Sequence, residues 1–496
     1  MKKIKLVIKS GIITSISESE FVEIISDGKE YKFSDCIVIP GITDSHCHVW
    51  GLGMMNSGLD VSGGISSEET LEITRKNYFR KCDWVIGRGW NNELWNNTDL
   101  PDRIQADKFF PDEPLALTRV DGHSIWCNSK ALELAGIDCD TPDPAGGKIL
   151  RDEHGSPTGM LIDNAMNLLD SYIPEYTESQ ITSFIDKGLD LCLKSGITAV
   201  HDMDVSPQMV SIYHKLNEAG KLPIRVFAYV SCQNDEVFNA KILPYKSEMF
   251  TIQGIKLFSD GALGSYGAAL IDDYSDKTGE RGLLLLTSND MLGKILKADE
   301  SGFDVVIHAI GDRAVREVID AFEKFRELKP YSTINLRIEH SQTVHPDDIQ
   351  RYKQLNIIAS VQPIHFVSDA KMAQKRLGNA RLLKSGYPWK TFIDNEVLVI
   401  GGSDFPIESH NPFLGIDAFI SRQYDLETDN SIFDERLSES EALKCYTDYP
   451  YISVNVENIG KLEIGCKADF VVIEGNSISS VSKVSSVFIN GEQIIS

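Results

Sequence analysis

Short, almost wholly apolar segments recur through most of the chain, and each ends in or near Gly, His or Asp. Such segments are typical of strands buried on both faces of a parallel sheet. Helical periodicity fills several intervals, including 179–195 and 314–328. This alternation predicts an α/β fold, a (β/α)₈ TIM barrel, whose chemistry lies at the carboxyl ends of the strands. The predicted strands are 38–46, 196–202, 223–230, 254–260, 304–312, 336–340, 357–363 and 397–404.

The two ends of the chain show a different pattern, in which apolar and polar residues alternate. Residues 1–36 and 461–496 both predict short antiparallel strands, and Asn490-Gly491 is a strong hairpin-turn signal. Each segment is too small for a core of its own. We therefore expect the two termini to pair into one small β-sandwich domain.

About 150 residues separate the first predicted barrel strand from the second, and residues 53–195 of this interval hold four of the six tryptophans. We interpret most of it as a subdomain that is inserted after the first strand and caps the barrel mouth. The predicted organisation is an N-terminal sandwich segment at 1–37, the first barrel strand at 38–52, the insertion at 53–195, the rest of the barrel at 196–455 and a C-terminal sandwich segment at 456–496.

Composition narrows the class of protein. The chain has 496 residues, of which 42% are hydrophobic and 25% charged, and its net charge is −24. Such an acidic surface argues against nucleic-acid and membrane partners, because both present phosphate groups. The nine cysteines form no CxxC motif, which argues against a disulfide framework or a thiolate zinc cluster. No apolar run is long enough for a signal peptide or a membrane span, so we expect a cytoplasmic protein.

Potential metal ligands follow five of the predicted strands. A histidine pair at positions i and i+2 of a strand faces one side, which suits two ligands of a single ion. Each residue alone has an ordinary explanation, such as a packed histidine, a helix cap or an ion pair, but their joint occurrence at strand ends favours a metal site. Imidazole and carboxylate suit zinc, and manganese, iron, cobalt or nickel are also compatible. The residues are His46, His48, Lys256, His308, His340 and Asp404.

The segment PGITDSHCHV resembles the barrel-opening motif of the amidohydrolase superfamily, and GGSDFP completes that superfamily's ligand order. The closer resemblance is to its YtcJ-like branch (amidohydrolase family 3), which includes N-substituted formamide deformylase. It extends from about residue 33 to 475. The segments that carry it include GRGWNNELW, RVDGHSIWCNSKAL, GGKILRDEHGSPTGML, GIKLFSDGALGS, HAIGDRAV, RIEHSQ, SVQPIHFVSDAKMAQKRLG and GKLEIGCKADFVVIE.

The resemblance implies one or two divalent transition-metal ions, with zinc as the expected metal. His46 and His48 would bind the more buried ion together with Asp404. His308 and His340 would bind the more exposed ion. Lys256, carboxylated by CO₂ to a carbamate, would bridge the two. A lysine amine captures CO₂ only in its neutral form, so this role requires a desolvated side chain.

The resemblance also implies a metal-dependent hydrolase in which a metal-activated water attacks a carbonyl carbon. Asp404 would accept the proton of that water and pass it to the leaving nitrogen. Asp404 is therefore the expected catalytic residue as well as a ligand.

Five further residues are candidates for substrate contacts. His123 lies in the insertion, where a structural loop histidine is the alternative. Trp90 could form an aromatic wall or belong to an ordinary core. His201 ends the second strand, either in the pocket wall or behind a metal ligand. Gln362 and His365 follow the seventh strand and could supply polar groups to the pocket.

We expect the substrate to be a small molecule with a C–N bond, a non-peptide amide or an N-formyl or N-acyl compound. A lactonase, esterase or deaminase could use the same ligands, because the attacking hydroxide does not distinguish among leaving groups. A catalytically inactive scaffold is a third hypothesis, although such proteins usually lose ligands and none is missing here. A homodimer is also compatible with the resemblance.

Overall fold

The computed structural model describes residues 3–120, 124–144, 146–422 and 435–495. The strands, in chain order, are β1 (Ile4–Lys9), β2 (Ile12–Glu18), β3 (Val22–Ser26), β4 (Lys29–Phe33), β5 (Cys36–Pro40), β6 (Ile42–Cys47), β7 (Arg80–Lys81), β8 (Trp84–Trp90), β9 (Leu115–Arg119), β10 (Ser124–Cys127), β11 (Gly147–Arg151), β12 (Pro157–Asp163), β13 (Ile197–Val205), β14 (Arg225–Ser231), β15 (Tyr245–Lys246), β16 (Phe250–Phe258), β17 (Asp304–Ala309), β18 (Leu336–His340), β19 (Ile357–Val361), β20 (Val399–Gly401), β21 (Phe470–Glu474), β22 (Val484–Ile489) and β23 (Glu492–Ile495).

The helices, in the same order, are α1 (Val49–Met54), α2 (Ser67–Asn77), α3 (Arg103–Phe109), α4 (Ser129–Ala135), α5 (Asn167–Asp170), α6 (Glu178–Lys194), α7 (Pro207–Glu218), α8 (Glu236–Asn239), α9 (Ser288–Ser301), α10 (Asp312–Leu328), α11 (Pro346–Gln354), α12 (Pro363–Leu377), α13 (Asn379–Ser385), α14 (Trp389–Asp394), α15 (Pro412–Ser421), α16 (Glu439–Tyr446) and α17 (Asp448–Ile452). Within the described ranges, no helix has both the length and the apolar character needed to cross a membrane. The chain divides into two units, Met1–Val49 with Leu189–Ser496, and Trp50–Gly188.

Eight parallel strands form the central sheet of the first unit, in the order β6-β13-β14-β16-β17-β18-β19-β20. Each overlaps one predicted barrel strand, so the predicted TIM barrel is confirmed. Helices cover the sheet. In α10, for example, Val315, Val318 and Phe322 repeat at helical spacing and are buried. Burial on both faces explains why the strands are apolar almost without interruption.

The barrel closes between its last and first strands through the segments that follow them. The Asp404 amide donates to the His46 carbonyl at 2.7 Å, and the His48 amide donates to the Phe405 carbonyl at 2.9 Å. Asp44 supports the same junction, because its carboxylate accepts from the Ser403 hydroxyl at 2.6 Å. This closure places Asp404 beside His46 of β6 and beside His48, which directly follows that strand.

The predicted first barrel strand is in fact two strands. Cys36–Pro40 pairs with Phe470–Glu474 of the sandwich, whereas Ile42–Cys47 pairs with β13 of the barrel. The chain passes between the two sheets at Gly41, where a Cβ atom would lie 2.3 Å from Thr198 Oγ1. Only glycine fits so close to the neighbouring strand, and a continuous apolar run concealed this break.

The termini form a β-sandwich, as predicted from their alternating pattern. One sheet has the order β2-β1-β3-β4, and the other has the order β23-β22-β21-β5. Their facing apolar side chains form one core that includes Leu6, Ile24, Phe470 and Phe488. A buried ion pair joins this domain to the barrel, because Arg225 Nε of β14 lies 2.8 Å from Asp469 Oδ2.

The second unit contains a six-stranded sheet in the order β11-β12-β10-β9-β8-β7. The β8–β9 pair is parallel and the other pairs are antiparallel. Trp90, Trp95 and Trp126 pack together in its core, with ring centroids 5.7 to 6.4 Å apart. The insertion was predicted at 53–195, and its role as a cap stays a prediction.

Candidate metal centre

The first half of the centre consists of His46 of β6, His48, which directly follows β6, and Asp404, which follows β20. The strand alternation turns both imidazoles the same way. His46 Nε2 lies 3.4 Å from Asp404 Oδ1, and His48 Nε2 lies 3.2 Å from the same oxygen. Asp404 has a φ of +60°, which is uncommon for a residue with a side chain and is often found at functional sites. Three donor atoms from the two ends of the barrel sheet therefore converge.

The outer nitrogens of both histidines are held by other groups. His46 Nδ1 contacts Glu339 Oε2, and His48 Nδ1 lies 3.1 Å from the Met203 carbonyl oxygen. A proton on each Nδ1 satisfies these acceptors and leaves each Nε2 lone pair for a metal ion. This tautomer is the usual one for histidines that bind a metal through Nε2.

The second half of the centre consists of Lys256 of β16, His308 of β17 and His340 of β18. The His340 ring centroid lies 4.5 Å from that of His308 and 4.9 Å from that of His46. Lys256 Nζ, His308 Nε2 and His340 Nδ1 are buried and have no hydrogen-bond partner among the described residues. Buried polar atoms are nearly always paired. Unpartnered nitrogens facing a cavity are what a site for a metal ion or a carbamate needs.

The electrostatics keep most of the nitrogen donors neutral. Burial, assisted by the nearby Lys256 charge, lowers the pKa of His46 to about 4 and that of His308 to about 3. Burial also lowers the pKa of His340 well below its usual value and lowers the pKa of Lys256. His48 differs, because the hydrogen bond and charge of Asp404 outweigh burial and raise its pKa.

The carboxylate of Asp404 is held in its charged form. Burial alone would raise its pKa, but the electrostatic interaction with the His46 ring and the hydrogen bond from His48 outweigh burial and lower the pKa well below its usual value. The neutral imidazoles of His46, His308 and His340 and the ionised carboxylate of Asp404 are in the protonation states that metal coordination requires. The donor set therefore fits divalent ions such as zinc.

A cavity of about 430 Å³ opens onto both halves of the centre. One side of its wall is apolar and includes Phe258, Leu263 and Met372. Polar groups from four residues also line it, namely Gln342, His365, Asp369 and Glu408. An apolar cavity with a few convergent polar groups is typical of a small-molecule site.

Among the predicted substrate contacts, His365 lines this cavity. Its Nε2 lies 3.8 Å from Asp404 Oδ2, and its ring stacks on that of His340 with centroids 6.0 Å apart. His340, His365 and Asp404 also form a group whose donor atoms lie within 4.8 Å of one another, as do His46, His48 and Asp404. His365 is thus placed either to contact a substrate or to bind a metal ion.

The other predicted contacts lie elsewhere. His201 is fully buried and accepts from Arg337, which favours the interpretation that it supports a ligand from behind. Gln362 is buried and is not among the described residues that line the cavity. Trp90 is 1% exposed and donates to the Leu117 carbonyl in the core of the second unit. His123 lies outside the described residues.

Two buried acidic residues behind the ligands were not found from the sequence. Glu339 contacts His46, and Asp260 Oδ1 lies 3.4 Å from His308 Nε2. Asp260 also accepts from the backbone amides of Ala269, Ile310 and Gly311, and burial raises its pKa to about 7. The sequence did contain one indication of the role of Glu339. Two charged residues two positions apart inside an apolar strand are costly to bury unless they are paired.

A TIM barrel with such donors on its strand ends belongs to the class of metal-dependent hydrolases. A family model described as "Amidohydrolase family" matches residues 34–495. The chain therefore belongs to the amidohydrolase family.

Curated relatives match along most of their length. A Bacillus subtilis protein named YtcJ, an amidohydrolase by its name, is 33% identical over 90% of this chain and 86% of its own. N-substituted formamide deformylase of Arthrobacter pascens is 27% identical over 91% of this chain and 86% of its own. The crystal structure of an uncharacterized metal-dependent hydrolase from Pyrococcus horikoshii superposes with a TM-score of 0.79 and 28% identity, covering 95% of this chain and 98% of that one.

Proposed function

We propose that this amidohydrolase hydrolyses the C–N bond of a small non-peptide amide, an N-formyl or N-acyl compound. The observation that carries the proposal is the convergence of His46 Nε2 and His48 Nε2 on Asp404 Oδ1, at 3.4 and 3.2 Å, beside a cavity of small-molecule size. The similarity to a relative named N-substituted formamide deformylase supports this substrate class.

In this proposal, His46, His48 and Asp404 hold one divalent ion, with zinc as the expected metal. His308 and His340 would hold a second ion, and Lys256, as a carbamate, would supply a ligand to both. The lowered pKa of the buried Lys256 amine supports the bridge, because only a neutral amine reacts with CO₂. The group of His340, His365 and Asp404 is an alternative donor set for the second ion.

Divalent ions held by these residues would make a hydroxide available at neutral pH and would polarise a carbonyl group. Asp404 performs the proton transfer. Its Oδ1 faces the two histidines and its Oδ2 faces the cavity side near His365, so one oxygen is available for a proton. Asp404 accepts the proton of the attacking water and donates it to the leaving nitrogen. Phe258 and Met372 give the cavity an apolar surface against which the apolar part of a substrate can pack.

The test combines metal analysis with a panel of N-formyl, N-acyl and cyclic amides, lactones and aminopurines. We expect one or two zinc ions per chain, and amide hydrolysis that a chelator abolishes and zinc restores. The Asp404→Asn variant is the control for contaminating activity. Turnover of lactones or aminopurines alone would assign the lactonase or deaminase alternative. Failure to take up any metal would contradict the proposal and favour an inactive scaffold.

A further inference from the structure

A charged pair lies in the barrel interior behind the candidate centre. Arg337 and Glu339 share one face of β18, and their exposed fractions are 1% and 0%. An ion pair removed from water to this extent costs desolvation energy and is favourable only when further hydrogen bonds surround it. Its position next to a ligand histidine, together with that cost, suggests a function beyond folding.

The Arg337 guanidinium is fixed by groups from several other barrel strands. It donates to the Ser45 carbonyl of β6, to His201 Nδ1 of β13 at 3.0 Å and to Ser360 Oγ of β19 at 2.9 Å. It also donates to Glu339 Oε2 at 3.0 Å. Because its hydrogen bonds reach three other strands, the guanidinium has little freedom to move and can hold the Glu339 carboxylate in one orientation.

The same carboxylate oxygen contacts His46 Nδ1. It therefore keeps the proton on Nδ1 and turns Nε2 toward Asp404 Oδ1. By contrast, Nδ1 of His340 in the second half has no hydrogen-bond partner among the described residues. The protein therefore fixes the His46 ring through more hydrogen bonds than the His340 ring.

We infer that Arg337 and Glu339 are positioning residues that set the orientation of His46, so that the position formed by His46, His48 and Asp404 binds its metal ion first and more tightly than the second position. This inference rests on the metal site of the proposed function. Histidine–carboxylate contacts of this kind typically change metal affinity ~10- to 100-fold.

The experiment titrates the metal-free full chain with zinc or cobalt(II) in competition with a chromophoric chelator. In Glu339→Gln, we expect the first equivalent to bind ~10- to 100-fold more weakly and the second to be little changed. The absorption spectrum of the cobalt(II) protein should shift as well, which a purely structural role would not cause. Asp469→Asn is the matched control. It removes the buried ion pair between Asp469 and Arg225 at the junction of the sandwich and the barrel, so it should lower the Tm without changing metal affinity.

A second variant decides the question if Glu339→Gln fails to fold. Glu339→Asp keeps the charge beside Arg337 but is one methylene shorter, so it withdraws from His46. It should fold and still bind the first equivalent more weakly. Unchanged affinity of folded Glu339→Gln or Glu339→Asp, in a protein whose wild type binds metal, would overturn the inference alone. A wild-type chain that binds no metal would instead overturn the proposed function.

Discussion

The two halves of the candidate centre are built by the same barrel but held differently. In the first half, Glu339 and the Met203 carbonyl fix the outer nitrogens of His46 and His48. In the second half, Lys256 Nζ and His340 Nδ1 have no such partner among the described residues. The comparison teaches that hydrogen bonds fix the outer nitrogens of both histidines in the first half, whereas they leave two buried nitrogens of the second half without a partner among the described residues.

We expect Asp404→Asn to have the largest effect on catalysis. The amide preserves the shape of the side chain and much of the coordination, but it cannot carry a proton at neutral pH. We expect metal content near that of the wild type while kcat falls ~10²- to 10⁴-fold, and the acidic limb of the pH–rate profile disappears. Metal analysis and steady-state kinetics measure both. Near-full turnover on any good substrate would show that another group is the base.

Lys256→Ala tests the second half. If Lys256 is a carbamate bridge, this variant should lose the second metal ion and most of its activity, with partial rescue by a short carboxylic acid. Lys353→Ala, at a surface ion pair with Glu396, is the matched control. His340→Asn should likewise lower metal occupancy, unlike Asp404→Asn. A signal from ¹³CO₂-labelled protein in carbon NMR would report the carbamate directly, and full occupancy of both positions in Lys256→Ala would exclude the bridge.

The His365→Gln variant tests whether His365, on α12, contributes a ligand to the second half of the centre. As a substrate contact, His365 contributes one hydrogen bond, and its loss should raise KM ~3- to 10-fold with the metal content unchanged. As a ligand in the group with His340 and Asp404, its loss should lower the metal content instead. The ratio of metal to protein therefore separates the two roles.

The smallest effect is a pH dependence of stability in the metal-free protein. The native state keeps His46 and His308 neutral, with pKa values of about 4 and about 3, chiefly because both are buried. In the unfolded chain their pKa returns to ~6.5, so the unfolded state binds more protons below that pH. The Tm of the metal-free protein should therefore fall as the pH is lowered from ~7 toward ~4. A His308→Gln variant should lose some of this dependence; an unchanged Tm profile in that variant would contradict the assignment.

Much of the barrel could be predicted because its strands are short, apolar and end in polar residues. The same rule located the candidate ligands, since the carboxyl ends of parallel strands meet at one edge. It failed at Gly41, where two strands of different sheets follow each other without a polar break. The rule also did not predict the fold of the second unit, whose mixed sheet brings Trp90 and Trp126 into one core.

The residues that hold the ligand side chains in position were harder to predict. Glu339 contacts His46 across 293 positions of sequence, and a pattern along one strand does not show which residue lies opposite it in a closed barrel. His201 illustrates the same difficulty, because its place at a strand end was compatible with the cavity as well as with the interior. Only the closed sheet shows that its ring accepts from Arg337.

The closure of the barrel has a consequence for the order in which the protein is made. His46 and His48 lie at the end of the first barrel strand and just after it, but Asp404 follows the last one, and the hydrogen bond from the Asp404 amide to the His46 carbonyl joins the two segments. A growing chain on the ribosome therefore carries the two histidines long before it carries the carboxylate that completes their site. If this position binds a metal ion as proposed, tight uptake has to wait until the last strand has been synthesised and has docked against the first, and the bound ion would then be a chemical marker of a finished barrel.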